Sequence, residues 1–303
     1  MAQPQLTFPL QPKRRLAGLA YGALHSTRRG TGSDIAGSRP YRRGDDVKAI
    51  DWPASAKLSR ARGSDEFVVR EHYADEAPRI VVLSDRSPSM SLYPPGWPWL
   101  QKPEAVRVIL RLIADSALAV QGYTGYFDLG SGESFWWPPT SHRTLHQLDL
   151  ERPFRAPPDA LERGLEELVR HRRDVPSGTF VFVVSDFLTS PSRALWLRVL
   201  ARRLDVIPVV VQDPVWEQSF PDIGGIVIPF ADPATGKTRY AELTRAEAAG
   251  RRRANEERRA ELVRTLRSLD LEPVLVETSE LRGVFSAFLA WADRRRRTRG
   301  RPW

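Results

Sequence analysis

The 303-residue chain contains no cysteine. Disulfides, thiolate nucleophiles and zinc–sulfur sites are therefore excluded as organising features. Long apolar runs are also missing. No stretch approaches the roughly 18 apolar residues of a membrane-spanning helix. The first ten residues lack the basic start, long apolar run and small-residue cleavage site of a secretory signal, so a cytoplasmic location is expected. Histidine is scarce, with five in all. His142 and His146 stand four apart but lack the neighbouring glutamate of a zinc-protease helix, and no other pair has metal-ligand spacing. Lysine is scarce too: it supplies five of the 46 basic residues, so arginine carries the net charge of +9. That balance alone argues only weakly for nucleic acid and serves an acidic protein partner equally well. The arginine runs at 251–253 and 294–297 read as solvated helix faces.

What is present is a pattern of continuous apolar strands separated by helical periodicity. Arg79-Ile-Val-Val-Leu-Ser-Asp85 is a buried strand ending in a carboxylate, followed by Ser87 and Ser89. Residues 102–121 have apolar positions at helical spacing, with Pro103 in the first turn. Residues 122–129 and 134–137 read as two strands. Trp136 and Trp137 in the second read as packing residues. Residues 141–154 suggest a short helix. Residues 159–171 form a further helix, with Asp159 and Glu162 in the positions of a capping box. Thr179-Phe-Val-Phe-Val-Val-Ser185-Asp186 is a second continuous apolar strand ending in an aspartate. A helix over 191–203, a strand over 205–212, a hairpin within 213–242, a long charged helix over 243–269, a strand over 272–276 and a helix over 280–294 complete the pattern. Strands without alternation, separated by helices, indicate an α/β fold with a doubly wound, mostly parallel sheet.

Three segments accompany the sheet domain of residues 78–294. The first, residues 1–77, is an N-terminal extension. Within it a short helix is expected over 14–24, an irregular Gly/Ser/Arg-rich loop over 27–39 and a strand over 67–73. It also holds the stretch Tyr41-Arg-Arg-Gly44-Asp45-Asp46, followed by Ile50-Asp51-Trp52, with Ile50 and Trp52 as candidate buried anchors. The aspartates there read as a folded turn in preference to a partner site. The second segment is the small β-hairpin insert at 213–242. The third is a basic tail at 295–303.

In an open sheet of order 3-2-1-4-5-6, strands 1 and 4 are neighbours, and their C-terminal ends flank the usual ligand crevice. Counted from Arg79, those strands end in Asp85 and Asp186. Two carboxylates brought together there would repel unless a cation or proton lay between them. A carboxylate and two hydroxyls suit a hard cation such as Mg²⁺; the competing reading is a polar turn that caps the next helix.

Asp85-Arg-Ser87-Pro-Ser89 resembles the D-x-S-x-S motif of the von Willebrand factor A-like fold, its metal-ion-dependent adhesion site. Asp186 falls where that fold places a later metal-site aspartate. The upstream stretch Tyr41 to Trp52 resembles the signature of the domain-of-unknown-function 58 family. Gln212-Asp213-Pro214, the Thr235-Gly236 turn and the C-terminal strand and helix fit that family's layout. The resemblance covers about residues 15–295. It implies that Asp85, Ser87, Ser89 and Asp186 hold Mg²⁺, or Mn²⁺ or Ca²⁺, directly or through water. A partner's carboxylate would complete the shell. It further implies a non-enzymatic adaptor that works with a MoxR-type AAA+ ATPase in the assembly or maturation of protein complexes. One departure stands out. The loop that should supply a threonine ligand reads Arg155-Ala-Pro-Pro-Asp159, which leaves Thr140, Ser141 and Asp159 as substitutes. A metal-dependent phosphohydrolase of the haloacid dehalogenase-like type is the enzymatic alternative, but it needs a second aspartate where Ser87 stands. A nucleic-acid binder using the basic surface is the remaining one, with strong salt dependence as its mark.

Overall fold

A computed structural model describes residues 6–13, 29–43, 45–63, 66–73, 77–93, 100–130, 133–140, 145, 152–232, 235 and 237–298. The expected helix at 14–24, most of the expected helix at 141–154, Gly44, Ser141, His142, His146 and the last five residues lie outside this set. The chain divides into two compact units, one of residues 12–78 and one of residues 1–11 with 79–303.

In the smaller unit, β1 (Arg29–Pro40) pairs antiparallel with β2 (Val68–Tyr73), and α1 (Trp52–Arg62) lies between them in sequence. The irregular loop expected at 27–39, of which residues 27 and 28 lie outside the described set, is thus a strand from Arg29 on. Its register against β2 breaks between Gly30 and Ile35 and again before Gly37. Ladder pairing with a neighbour overrides a composition that by itself favours turns. Trp52 corrects a second expectation. It is 57% exposed, because it occupies the first turn of α1 and meets the ring of Phe67 edge-on at 5.8 Å. Ile50 is half-buried and bridges to Val69.

The larger unit is built on six strands: β3 (Arg79–Ser84), β4 (Tyr123–Leu129), β5 (Ser134–Trp137), β6 (Phe180–Ser185), β7 (Asp205–Val211) and β10 (Val274–Val276). Their order across the sheet is β10-β7-β6-β3-β4-β5, all parallel except β5. Counted from β3, this is the 3-2-1-4-5-6 order, so β3 and β6 are neighbours with Leu83 opposite Val183. The central strands are inaccessible on both faces: Ile80, Val81 and Val82, and Phe180 to Val184, are all fully buried.

Alternation along the strands sends successive side chains to opposite layers. Val81, Leu83, Val181 and Val183 pack against α3 (Ala160–Arg170), α4 (Arg193–Ala201) and α5 (Arg245–Ser268). On the opposite face Phe182 meets Phe288 and Trp291 of α6 (Leu281–Thr298), and α6 packs on α2 (Lys102–Ala119). Residues 6–11 belong to this layer. Phe8 is buried, stacks on Phe288 at 4.5 Å, and donates its N–H to Ser116 Oγ at 3.0 Å. Helix α3 approaches β3 closely at Gly164, where a Cβ would stand 2.8 Å from Leu83 Cδ1.

Asp159 makes no side-chain capping bond at α3, so the capping box expected there does not form. Glu162 instead accepts the N–H of Ser192, which starts α4. A genuine capping box begins α5: Thr244 Oγ1 accepts from Glu247 N, and Glu247 accepts from Thr244 N. Between β7 and α5 the insert forms the hairpin β8 (Ile226–Ala231) and β9 (Thr238–Leu243). Helix α6 continues to Thr298, and Arg295 is not part of a solvated run. It is buried, ion-paired to Asp205 at 2.7 Å and bonded to the carbonyl of Gln11. The Arg251–253 run is also partly used internally, with Arg251 over the Phe230 ring and Arg252 bonded to the carbonyl of Phe220. No described helix is long and apolar enough to cross a membrane.

Candidate metal and adhesion site

The sheet delivers Asp85 and Asp186 to the same edge. The β3–β6 ladder extends one residue past the strand, with Asp85 N–H donating to the Val184 carbonyl at 2.9 Å. Asp85 therefore lies beside Ser185, whose hydroxyl donates to Asp85 Oδ2 at 2.6 Å and accepts the N–H of Phe187. Asp85 Oδ1 accepts the N–H of Ser87 at 2.8 Å, and Ser87 Oγ stands 3.1 Å from Ser89 Oγ. Pro88 starts a short 3-10 turn through Ser91, which keeps the two hydroxyls on one side of the loop. Phe187, just after Asp186, has φ of 51°, the left-handed region, at a cost of about 1–2 kcal/mol for a non-glycine residue. This backbone reversal lets Leu188 N–H donate to Asp186 Oδ1 at 3.0 Å.

Asp85, Ser87, Ser89 and Asp186 line one cavity of about 280 Å³, together with Pro88, Ala156, Pro158, Leu161, Leu188 and Thr189. Of the substitutes for the missing threonine, Thr140 and Asp159 do not line it. Thr189 does, from the loop after β6, and sequence reasoning passed over it. It lies three residues beyond Asp186, in a loop where a hydroxyl carries no distinctive spacing.

Arg86, the variable position of the motif, is 1% exposed. Its guanidinium bonds Asp128 Oδ2 at 3.1 Å, the Tyr126 hydroxyl at 2.9 Å and the Arg152 carbonyl at 3.2 Å, and it lies over the Phe154 ring. Its own carbonyl accepts the N–H of Ala156. Arg86 thereby fixes the 152–158 segment, which forms one wall of the cavity.

Sequence reasoning also missed a lysine. Lys102, at the start of α2, has no exposed surface. Its ammonium bonds Asp186 Oδ2 at 2.9 Å, the Ser89 carbonyl at 3.2 Å and Glu217 Oε1. Glu217 in turn accepts the N–H of Asp213 at 2.8 Å. Asp213 accepts the N–H groups of Leu100, Val215 and Trp216 at 2.9 Å each. Gln212 donates to the Asp186 carbonyl at 2.7 Å. The one available signal was compositional: a chain that otherwise uses arginine places one of its five lysines here.

Charge is unevenly compensated. Burial pushes the Asp85 carboxyl above its ordinary range; hydrogen bonds from Ser185 and Ser87 oppose this, and the neighbouring charge of Asp186 adds to it. Burial also raises Glu217, against the pull of Lys102. Among the described residues Asp85 has hydroxyl and amide donors but no ion-paired cation. A carboxylate offers about four lone-pair sites, and the Ser185 hydroxyl with the Ser87 N–H and hydroxyl leave Asp85 room for a further ligand. Asp85, Ser87 and Ser89 thus fit a hard cation. Asp186 fits it less well, since its Oδ2 already holds the Lys102 ammonium and its Oδ1 the N–H of Leu188.

In the smaller unit the Tyr41–Trp52 signature serves local architecture. Asp45 takes a two-pronged bond from Arg39, 2.7 Å on each oxygen, and the N–H of Arg42. Asp46 caps the 3-10 turn Val47–Ala49, and Asp51 caps α1 and pairs with Arg70 at 2.8 Å. The Arg39 bonds, then the Arg42 N–H, hold the Asp45 carboxyl at about 2, below its ordinary 3.8. A depressed folded value stabilises the fold above the ordinary one and loses that contribution as pH falls toward about 2. Asp45→Asn is expected to flatten the acid limb of stability between these values. An acid-unfolding curve identical to wild type would refute the assignment.

The larger unit is an α/β protein with a mostly parallel, Rossmann-like sheet, carrying its polar cluster at the switch point of strand order. The family model described as "Protein of unknown function DUF58" matches residues 37–263, and the chain belongs to that family. Uncharacterized proteins of Mycobacterium tuberculosis and Mycobacterium bovis are 26% identical to it over 272 residues, which is 86% of this chain and 80% of theirs. Among solved structures, an aerotolerance-related membrane protein from Bacteroides fragilis aligns with a TM-score of 0.38 at 13% identity, over 72% of this chain and 99% of its own. The conserved hypothetical protein BatB from Bacteroides thetaiotaomicron aligns with a TM-score of 0.37 at 12% identity, over 71% and 99%.

Proposed function

We propose that this chain is a non-enzymatic protein-interaction module of von Willebrand A-like type, which engages its partner through a divalent cation, Mg²⁺ or Mn²⁺ or Ca²⁺, held at Asp85, Ser87 and Ser89. The observation that carries this reading is Asp85 itself: a 7% exposed carboxylate without an ion-paired cation among the described residues, facing a cavity that Ser87, Ser89 and Asp186 also line. When bound, the cation would supply an open coordination position for an acidic side chain of the partner. The chain's own residues hold the donors in place. Ser185 orients one Asp85 oxygen, Ser87 N–H the other, and Arg86 fixes the wall formed by 152–158. The serines are set for ligation more than for attack: Ser87 Oγ neighbours Ser89 Oγ, and no histidine among the described residues lines the cavity. The partner suggested by the family resemblance is a MoxR-type AAA+ ATPase, with a role in assembly or maturation of protein complexes.

Calorimetric titration with Mn²⁺ tests the reading. Asp85→Asn keeps the size of the side chain and removes its charge. It is expected to weaken binding at least about tenfold, since ligand charge sets the affinity of such oxygen sites. Its thermal stability should equal or exceed that of wild type, because a buried and poorly compensated charge has been removed. Equal Mn²⁺ affinity in the two proteins, or none in wild type, would sink the cation site. Capture of the ATPase by wild type and not by Asp85→Asn would support the partner; equal capture would show that the contact does not use this site.

A further inference from the structure

The charges around the cavity do not match the simple picture of two aspartates sharing one exchangeable ion. Three buried carboxylates, Asp85, Asp186 and Glu217, stand with one buried ammonium, Lys102. A fourth, Asp213, is satisfied by three backbone N–H groups. Lys102 reaches both strand-end loops at once: it bonds the Ser89 carbonyl of the motif and Asp186 Oδ2 beyond β6. A lysine carries a compact point charge with three donors, and here three acceptors receive them.

We propose that Lys102 is the resident cation of this site: it reserves Asp186, confines an exchangeable cation to Asp85, Ser87 and Ser89, and links the site to the Asp213–Phe220 turn through Glu217. The inference rests on the preceding reading only in placing the exchangeable cation at Asp85. Two consequences follow from the geometry. The exchangeable site has one carboxylate where it would otherwise have two, and fewer ligand charges mean weaker divalent binding. Stability in the absence of metal is also served, because Asp186 and Glu217 share the Lys102 ammonium as their counter-charge. Lys102 thus lets the fold stand empty and keeps its ion weakly held, which suits a contact that must be made and released.

The same ammonium ties Glu217 to the motif loop. Glu217 lies on the turn after β7, and Asp213 of that turn holds the N–H of Leu100, two residues before Lys102. The turn, the start of α2 and the motif loop are therefore one hydrogen-bonded unit, with Lys102 at its centre.

The test replaces Lys102→Met together with Glu217→Gln, which removes one charge of each sign and leaves Asp186 available. Mn²⁺ binding to the full chain is followed by the electron paramagnetic resonance signal of the free ion, and Tm is measured with Mn²⁺ and with EDTA. The double variant is expected to bind Mn²⁺ about tenfold more tightly than wild type, as a second carboxylate joins the site. Its Tm should also rise more with Mn²⁺ than that of wild type. Equal or weaker binding by the double variant, with wild type still binding, would overturn the role of Lys102 and leave the cation site standing. Binding by the double variant alone would support Lys102 as resident cation and overturn an exchangeable ion in the native protein. No binding by either would overturn both. Should the double variant fail to fold, Lys102→Met alone is refolded in Mn²⁺ and in EDTA. A higher folded yield in Mn²⁺ supports the inference, and equal yields overturn it.

Discussion

Arg86→Met is expected to lower the unfolding free energy by about 3–5 kcal/mol, the usual result of removing one partner from a buried ion pair. The guanidinium and the Asp128 carboxylate are 1% and 0% exposed. Methionine fills similar volume but leaves Arg152, itself 30% exposed and 3.1 Å away, as the one cation beside Asp128 among the described residues. The Tyr126 hydroxyl, which donates to Asp128 and accepts from Arg86, loses half of its setting. Denaturant unfolding measures the effect, and a loss below about 1 kcal/mol, the scale of an exposed pair, would show that the site is solvated. Cation binding should fall as well, since the Arg86 guanidinium makes one of the two bonds by which this residue holds the 152–158 wall, the other being from its own carbonyl. Asp128→Asn should be milder, because the Arg86 charge then retains the Arg152 carbonyl and the Tyr126 hydroxyl.

Phe8→Ala is expected to cost a similar amount, about 3–5 kcal/mol, as for other fully buried aromatic side chains cut to alanine. Phe8 stacks on Phe288 and meets Phe182 and Trp291 edge-on, at 6.2 and 6.1 Å. These rings form the core on the α2/α6 face of the sheet, so the vacancy has rigid walls and little means to close. Leu10 is buried beside it in sequence, and Gln11 offers its carbonyl to Arg295. Deleting residues 1–11 should therefore destabilise the protein more than Phe8→Ala. The measurement is again equilibrium unfolding; a Tm unchanged by the deletion would mean that these residues only lie on the surface.

Much of the sheet was legible in the chain. Residues 79–84 and 179–185 are apolar without interruption, and such strands need helices on both faces. The ends at Asp85 and Asp186 could be paired because only a few strand orders are common among doubly wound sheets. The Asp45, Asp46 and Asp51 turns were legible for a similar reason: their bonds reach backbone groups or arginines within about 20 residues. Elsewhere local rules failed where partners were distant. The stretch 29–40 has the composition of a loop but pairs with 68–73, and Glu162, three residues from Asp159, turns instead to Ser192.

The metal motif illustrates the division most sharply. Sequence by itself determined which oxygen atoms stand at the two strand ends, because residue identity and a two-residue spacing specify them. Tertiary structure alone decided their charge. Lys102 lies 84 positions from Asp186 and 115 from Glu217, and no local pattern links three residues so far apart. Whether a buried carboxylate keeps a free coordination site depends on the dielectric around it and on which cation the fold brings within about 3 Å. Those are properties of packing, and packing gave Asp186 an ammonium while leaving Asp85 with hydroxyl and amide donors.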